Sequence, residues 1–150
     1  MSHASDIKAV LDADTGVGGV ATLLTGGIHL GEALPMGITE DDAGAAFDNT
    51  TGQVQPCLLI KTRSDRSDDG LVDEAAQVES KRQVHELYFY DAPYTGYGTI
   101  ASAAARARTL LQQKFVGSMF GIRQFNEIRA RAPELNKACL IRHDYESRTE

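Results

Sequence analysis

Hydrophobic and polar positions change period several times along this chain, most sharply between residues 80 and 116. Gln83-Val84-His85-Glu86-Leu87-Tyr88-Phe89-Tyr90 is rich in β-branched and aromatic residues and predicts a strand. Asp91-Ala92-Pro93-Tyr94 ends it, because Pro93 cannot donate a ladder hydrogen bond and biases its predecessor away from helix. Thr95-Gly96-Tyr97-Gly98 is a turn signal, and Thr99 is placed to cap a following helix. From Ile100 the period becomes helical: Ile100, Ala103, Ala104, Ala107, Leu111 and Phe115 form one stripe, widened by Ala101 and Leu110. Its alanines favour helix and let it lie close to a sheet. Burial of Ile100, Leu110, Leu111 and Phe115 would contribute roughly 1.5–3 kcal/mol each.

The remaining pattern surrounds this unit. Ser5 or Asp6 is placed to cap a first helix through Ile7, Val10 and Leu11, ending near Asp14-Thr15-Gly16. Val17, Val20, Ala21 and Leu24 suggest another helical turn or two, and Ile28-His29-Leu30 a short strand. Residues 31–52 read as loop, long enough to suggest contact with a partner. Residues 53–63 predict a strand through Val54, Cys57, Leu58, Leu59 and Ile60, with Pro56 pushing its start toward an edge or bulge. Residues 64–79 read as a polar connection between two antiparallel strands, projecting as an arm on which Leu71 and Val72 are exposed apolar residues. Gly117 is a candidate helix C-cap. Residues 121–131 predict a strand carrying Ile122, Phe125 and Ile128. Residues 138–148 alternate with period two. Cys139, Ile141, His143 and Tyr145 point one way; Leu140, Arg142, Asp144, Glu146 and Arg148 point the other. The expected fold class is α+β: a small antiparallel or mixed sheet packed by one long helix, with an N-terminal helix and long loops. The length of 150 residues is that of one domain, 1–150, with the arm at about 64–79.

Charge adds a polarity. The net charge is −6, but residues 1–50 carry one Lys against eight Asp and Glu, while residues 101–150 carry nine Lys and Arg against five acids. A molecule with one acidic and one basic side suits head-to-tail contact between copies. No dense basic patch with interleaved aromatics argues for nucleic-acid binding as the main task. No apolar run approaches 18 residues, so no membrane span is expected, and the first six residues lack the basic and apolar regions of a secretory signal. Cys57 and Cys139 lie in apolar strand contexts and read as buried reduced thiols.

Candidate chemistry is sparse. Thr15-Gly16-Val17-Gly18-Gly19 lacks the Lys-Ser/Thr pair of a phosphate loop and follows a helix. Glu40-Asp41-Asp42 lacks calcium-loop spacing. His3, His29, His85 and His143 have no metal-ligand spacing, and no Ser or Cys sits in a nucleophile elbow. No catalytic residue, metal or cofactor is expected. Tyr88, Tyr90, Tyr94 and Tyr97 cluster near one turn, which fits either a ligand-stacking pocket or a protein interface.

The order of these elements resembles the tail-terminator (tail-completion) proteins of long-tailed bacteriophages and prophages. Residues 7–14 look like that family's opening helix, and residues 26–35 like its following turn, short strand and proline. Val84–Pro93 with Thr99–Phe115 look like its strand, turn and Ala/Arg-rich helix, and Ala138–Arg148 like its closing strand. Residues 37–52 and 64–79 are longer than the family minimum. The resemblance implies a virion structural protein made in the host cytoplasm and no enzyme. It implies a homo-oligomeric ring, commonly a hexamer, at the head-proximal end of the tail, where it stops polymerisation of the tail-tube protein. It would join a neck or head-completion protein and leave a lumen for DNA. The expected interface comprises Arg66, Asp68, Asp69, Leu71, Val72, Asp73 and Glu74 on the arm, with Tyr94 and Tyr97. Another neck component, or a small bacterial ligand-binding domain, is the alternative.

Overall fold

A computed structural model describes residues 3–31, 46–48, 50–63, 66–67, 81–133 and 137–149. The order is α1 (His3–Asp12), α2 (Val20–Leu23), β1 (Ile28–Leu30), β2 (Cys57–Thr62), β3 (Arg66–Ser67), β4 (Lys81–Asp91), α3 (Gly98–Leu111), β5 (Phe120–Ala132) and β6 (Ala138–Thr149). The fold is α+β. One mixed sheet runs β1-β2-β4-β6-β5, and β3 pairs with the start of β4. Only β1 and β2 run parallel; the other pairings are antiparallel. Strands β2 and β4 are antiparallel neighbours, as the pattern predicted, with Leu59 opposite Tyr88.

The helices cover one face of this sheet. Ile7 and Leu11 of α1, Ile100, Ala103, Ala104, Ala107 and Leu111 of α3, and Leu58, Ile60, Leu87, Phe89, Ile141 and Tyr145 of the sheet form the main core. The alanine stripe therefore does what it predicted: it brings α3 close to the strands. The opposite face has a smaller core of Val54, Cys57, Leu59, Tyr90, Ala132 and Ala138. A β-bridge between Phe47 and Val54 holds the described part of the 31–52 stretch over it. The alternation read in β6 is realised, with Cys139, Ile141 and Tyr145 in the helix-side core.

Several expectations change. Thr99 does not cap α3: the helix starts at Gly98 behind Tyr97, whose side chain makes no capping bond. The helix also stops at Leu111, so Phe115 is 85% exposed and leaves the stripe. Gln113 adopts φ +60 and donates its amide to Ile122 O at 2.9 Å, which turns the chain into β5. Gly117 is consequently no C-cap. It sits at φ +59 in a turn against Asp6, where a Cβ would lie 2.5 Å from a carboxylate oxygen. Val17 is fully exposed, because α2 begins only at Val20, whose amide donates to Asp14 Oδ2 at 2.9 Å.

Strand β5 explains its irregular spacing. Ile122, Phe125 and Ile128 recur every three residues, which a flat strand cannot place on one face. Two register shifts, at Phe120/Arg123 and Gln124/Asn126, add one residue each to β5. Gly121 supplies the positive φ of the first. Phe125 is the extra residue of the second and is left 43% exposed, while Ile122 reaches the core.

The cysteines are buried and free. Cys57 pairs with Tyr90 on one face; Cys139 pairs with Asp91 on the other. They lie two strands apart on opposite faces and cannot bridge.

Candidate assembly surfaces

Strand β5, at one end of the sheet, carries Arg123, Arg129 and Arg131 against Glu127. Helix α1 packs over β1 and β2, and the α1–α2 region carries Asp6, Asp12 and Asp14 against Lys8; Asp12 pairs with Lys8, and Asp6 lies against Gly117 in the turn before β5. Four strand spacings, about 19 Å, separate the two edge strands. The outer edge of β5 pairs with no described strand. Ile128 is 39% exposed there, beside the bulged Phe125, over which Arg82 stacks at 5.6 Å.

Asp14 is fastened to the core helix. Arg106 Nε and NH2 donate to Asp14 Oδ2 and Oδ1 at 2.9 and 3.0 Å. These bonds, then the Val20 amide, hold the Asp14 carboxyl below its ordinary range. The Thr15–Gly19 loop is therefore a carboxylate-capped turn.

On the face away from the helices, charges alternate across three strands. Arg82 and Arg123 both donate to Glu146, at 2.8 and 2.6 Å. Burial pushes the Glu146 carboxyl up, but those two bonds outweigh it and leave it low. Arg142 lies between Glu86, at 3.9 Å, and Asp144, at 3.1 Å, and Asn126 donates to Asp144 at 2.9 Å. This ladder is internally neutral.

The helix side holds a groove of about 630 Å³ between α3 and the β5 half of the sheet. Ala101 and Ala105 form its shallow helical wall; Arg108 and Gln112 continue that wall one and two turns on. Gln124, Glu127 and Arg129 come from β5, and His143 from β6. His143 is 4% exposed, and its Nε2 lies 2.7 Å from Glu127 Oε1. That bond keeps the Glu127 carboxyl below its ordinary value. His143 Nδ1 and Gln124 Oε1 are buried without hydrogen-bond partners. By contrast, both nitrogens of buried His85 are engaged, with Thr62 at 3.0 Å and Ser147 at 2.7 Å, tying β2, β4 and β6 together. Among the described residues no group of three or more His, Cys, Asp or Glu is arranged to hold a metal ion.

The expected interface residues are only partly placed. The backbone of Arg66 pairs with Arg82 in β3. Asp68, Asp69, Leu71, Val72, Asp73 and Glu74 lie outside the described residues. Tyr94 is 76% exposed on the turn after β4. Tyr97 is half-buried against the main core, and its hydroxyl donates to Ala130 O at 2.9 Å. The four tyrosines do not converge on one pocket. Tyr88 and Tyr90 stack at 6.3 Å on the face away from the helices, while Tyr97 packs on the helix side. Pattern reading did not single out Arg108, Glu127 and Arg129. The signal for Arg108 was a flank of α3 running Ala101, Ala105, Arg108, Gln112 beside the apolar stripe, a flank too polar for core.

No family model matches this chain, and no curated protein matches it. Among solved structures it is similar to a chain described as part of the virion of a native gene transfer agent particle. The TM-score is 0.58 and the sequence identity 15%, over 96% of this chain and 91% of that one. At this identity the likeness concerns the fold.

Proposed function

We propose that this protein is a virion structural component that closes into a ring of the tail-terminator kind. It would sit at the head-proximal end of a phage tail, ending tube polymerisation and joining tail to head. The observation that carries the reading is the arginine-bearing outer edge of β5, which pairs with no described strand, in a chain whose first 50 residues are acidic. Two different complementary patches make a heterologous contact, and a heterologous contact whose rotation closes makes a ring. The arginines and bulges of β5 guard its edge against indiscriminate strand addition, leaving it to a matched partner. The shared fold with a chain from a virion supports the setting. A ring of six, a tail-tube partner on one face and a neck partner on the other follow from the family resemblance. The 64–79 arm, with Arg66, Asp68, Asp69, Leu71, Val72, Asp73 and Glu74, would cross to the neighbouring copy, beside Tyr94 and Tyr97.

Light scattering across protein concentration tests this reading. A discrete multiple of the 16.2 kDa chain is expected, dissociating at 1 M salt as the charged contact is screened. A monomer at all concentrations would refute the ring. Particles made without the protein should carry overlong tails; tailless heads would instead assign it to head completion. Deleting Asp68–Ala76 should convert rings to monomers, and unchanged rings would remove the arm from the contact.

A further inference from the structure

We infer that the outer edge of β5 pairs antiparallel with β5 of a second copy, about a two-fold axis at Ile128. The contact is isologous, so it is separate from the head-to-tail ring. It covers the edge in the free chain until a ring partner replaces it. Strand β5 has 13 residues, and its outer side pairs with no described strand. Both register shifts fall before Asn126, and residues 126–132 pair with β6 without interruption. That run offers another strand a regular row of amides and carbonyls.

The residues of the run select one register. A two-fold axis perpendicular to the sheet keeps each face beside the same face of the partner. A residue on the axis meets itself, and its neighbours meet in reverse order. An axis at Glu127 sets Glu127 opposite Glu127. Axes at Arg129 and Arg131 set arginine opposite arginine, and an axis at Ala130 sets Arg129 opposite Arg131 twice. Like charges directly opposed are destabilising. Of these positions Ile128 alone avoids them. Ile128 then meets Ile128, Glu127 meets Arg129 on both sides, and Asn126 meets Ala130.

The side chains concerned are accessible. Those of Glu127 and Arg129 are 43% and 48% exposed on the helix side, and Ile128 is 39% exposed on the opposite face. Glu127 Oε1 is held by His143 at 2.7 Å, but Oε2 lies 3.7 Å from Arg129 of the same chain, beyond hydrogen-bond length. That oxygen can take a charge-assisted bond from the arginine of the second copy. The Tyr97 hydroxyl donates to Ala130 O at 2.9 Å, and that carbonyl keeps a second lone pair. The two Ile128 side chains leave water together where they meet on the axis. The Phe125 bulge ends the flush ladder, so the contact is short and reversible.

Ile128→Cys tests the axis, because only a residue on it meets itself. Opposed Cα atoms in an antiparallel pair lie about 4.5–5.5 Å apart, inside the disulfide range of about 4.4–6.8 Å. Oxidised glutathione should therefore give an interchain disulfide dimer on a non-reducing gel, while the buried native cysteines give none. Asn126→Cys and Ala130→Cys, each about 14 Å from the same residue of the partner, should stay unlinked alone and link when mixed. Arg129→Glu sets glutamate opposite glutamate, and in Ile128→Cys chains it should slow linking at least tenfold. Adding Glu127→Arg should restore the rate. Ile128→Cys that never links, Asn126→Cys that links to itself as fast, or a rate indifferent to Arg129→Glu would each overturn the axis. Rings built from Ile128→Cys chains that never link would leave the ring standing without this contact. Linked dimers with no larger species would leave this contact without the ring.

Discussion

Truncating Leu111 and Phe115 separately measures where the core helix stops. Leu111 is fully buried in the cluster that contains Ile7, Leu11, Met119 and Ile122. Phe115, four residues on, is 85% exposed because the helix has already ended. Leu111→Ala removes three carbons from a site walled by two helices and the sheet, where neighbours cannot collapse inward. Such a change costs about 2–5 kcal/mol, and about 3 is expected here. For a chain of this length each kcal/mol moves Tm by roughly 2–4 °C, so Tm should fall by about 6–12 °C. Phe115→Ala should change stability by no more than about 0.5 kcal/mol. The chain has no tryptophan, so far-UV circular dichroism in urea is the suitable signal. The slope m should match wild type, so that the shifted midpoint reports stability alone. Protein concentration must be held fixed, since assembly raises apparent stability. If Phe115→Ala costs as much as Leu111→Ala, the helix runs on past Leu111 and the stop described above is wrong.

Other expectations follow from the same structure. Gly117→Ala places a Cβ 2.5 Å from the Asp6 carboxylate at φ +59, and should lose about 1 kcal/mol or more in urea unfolding; a neutral result would mean that the turn relaxes freely. Cys57 is fully buried and its thiol is pushed up by burial, with Asp91 adding to the effect, so it should react with a thiol reagent only after urea unfolding. Cys139 is buried too, and oxidation of the native protein should produce no intrachain disulfide. Asp14, Glu127 and Glu146 are all held below their ordinary values of 3.8, 4.5 and 4.5. The folded state then binds fewer protons than the unfolded one. Their contribution is complete above about pH 5 and is lost as pH falls through the lowered values. Glu146→Gln should flatten the acid limb of a stability–pH curve, and an unchanged limb would show that the Arg82–Glu146–Arg123 ladder adds nothing.

Much of the fold was legible because local pattern and burial agree where a strand or helix has one wet and one dry face. The β6 alternation and the α3 alanine stripe predicted their own orientations, since period two and period 3.6 each commit every side chain to a face. Charge along the chain also read directly, giving an acidic first third and a basic last third. Tertiary pairing decided the rest. Nothing local marks Gln113 as the end of α3; the turn is set by its bond to Ile122, a partner nine residues away that exists only once β5 has formed. The period-three spacing of β5 became intelligible only with its register against β6, because a bulge is a relation between two strands and not a property of one. The groove likewise exists only in the tertiary structure, which brings Arg108, Glu127 and His143 together from three separate elements. Sequence determined which stretches are charged, and the strand order β1-β2-β4-β6-β5 decided that the arginines of β5 stand on a sheet edge that pairs with no described strand, because edge position is a property of the whole sheet and not of one strand.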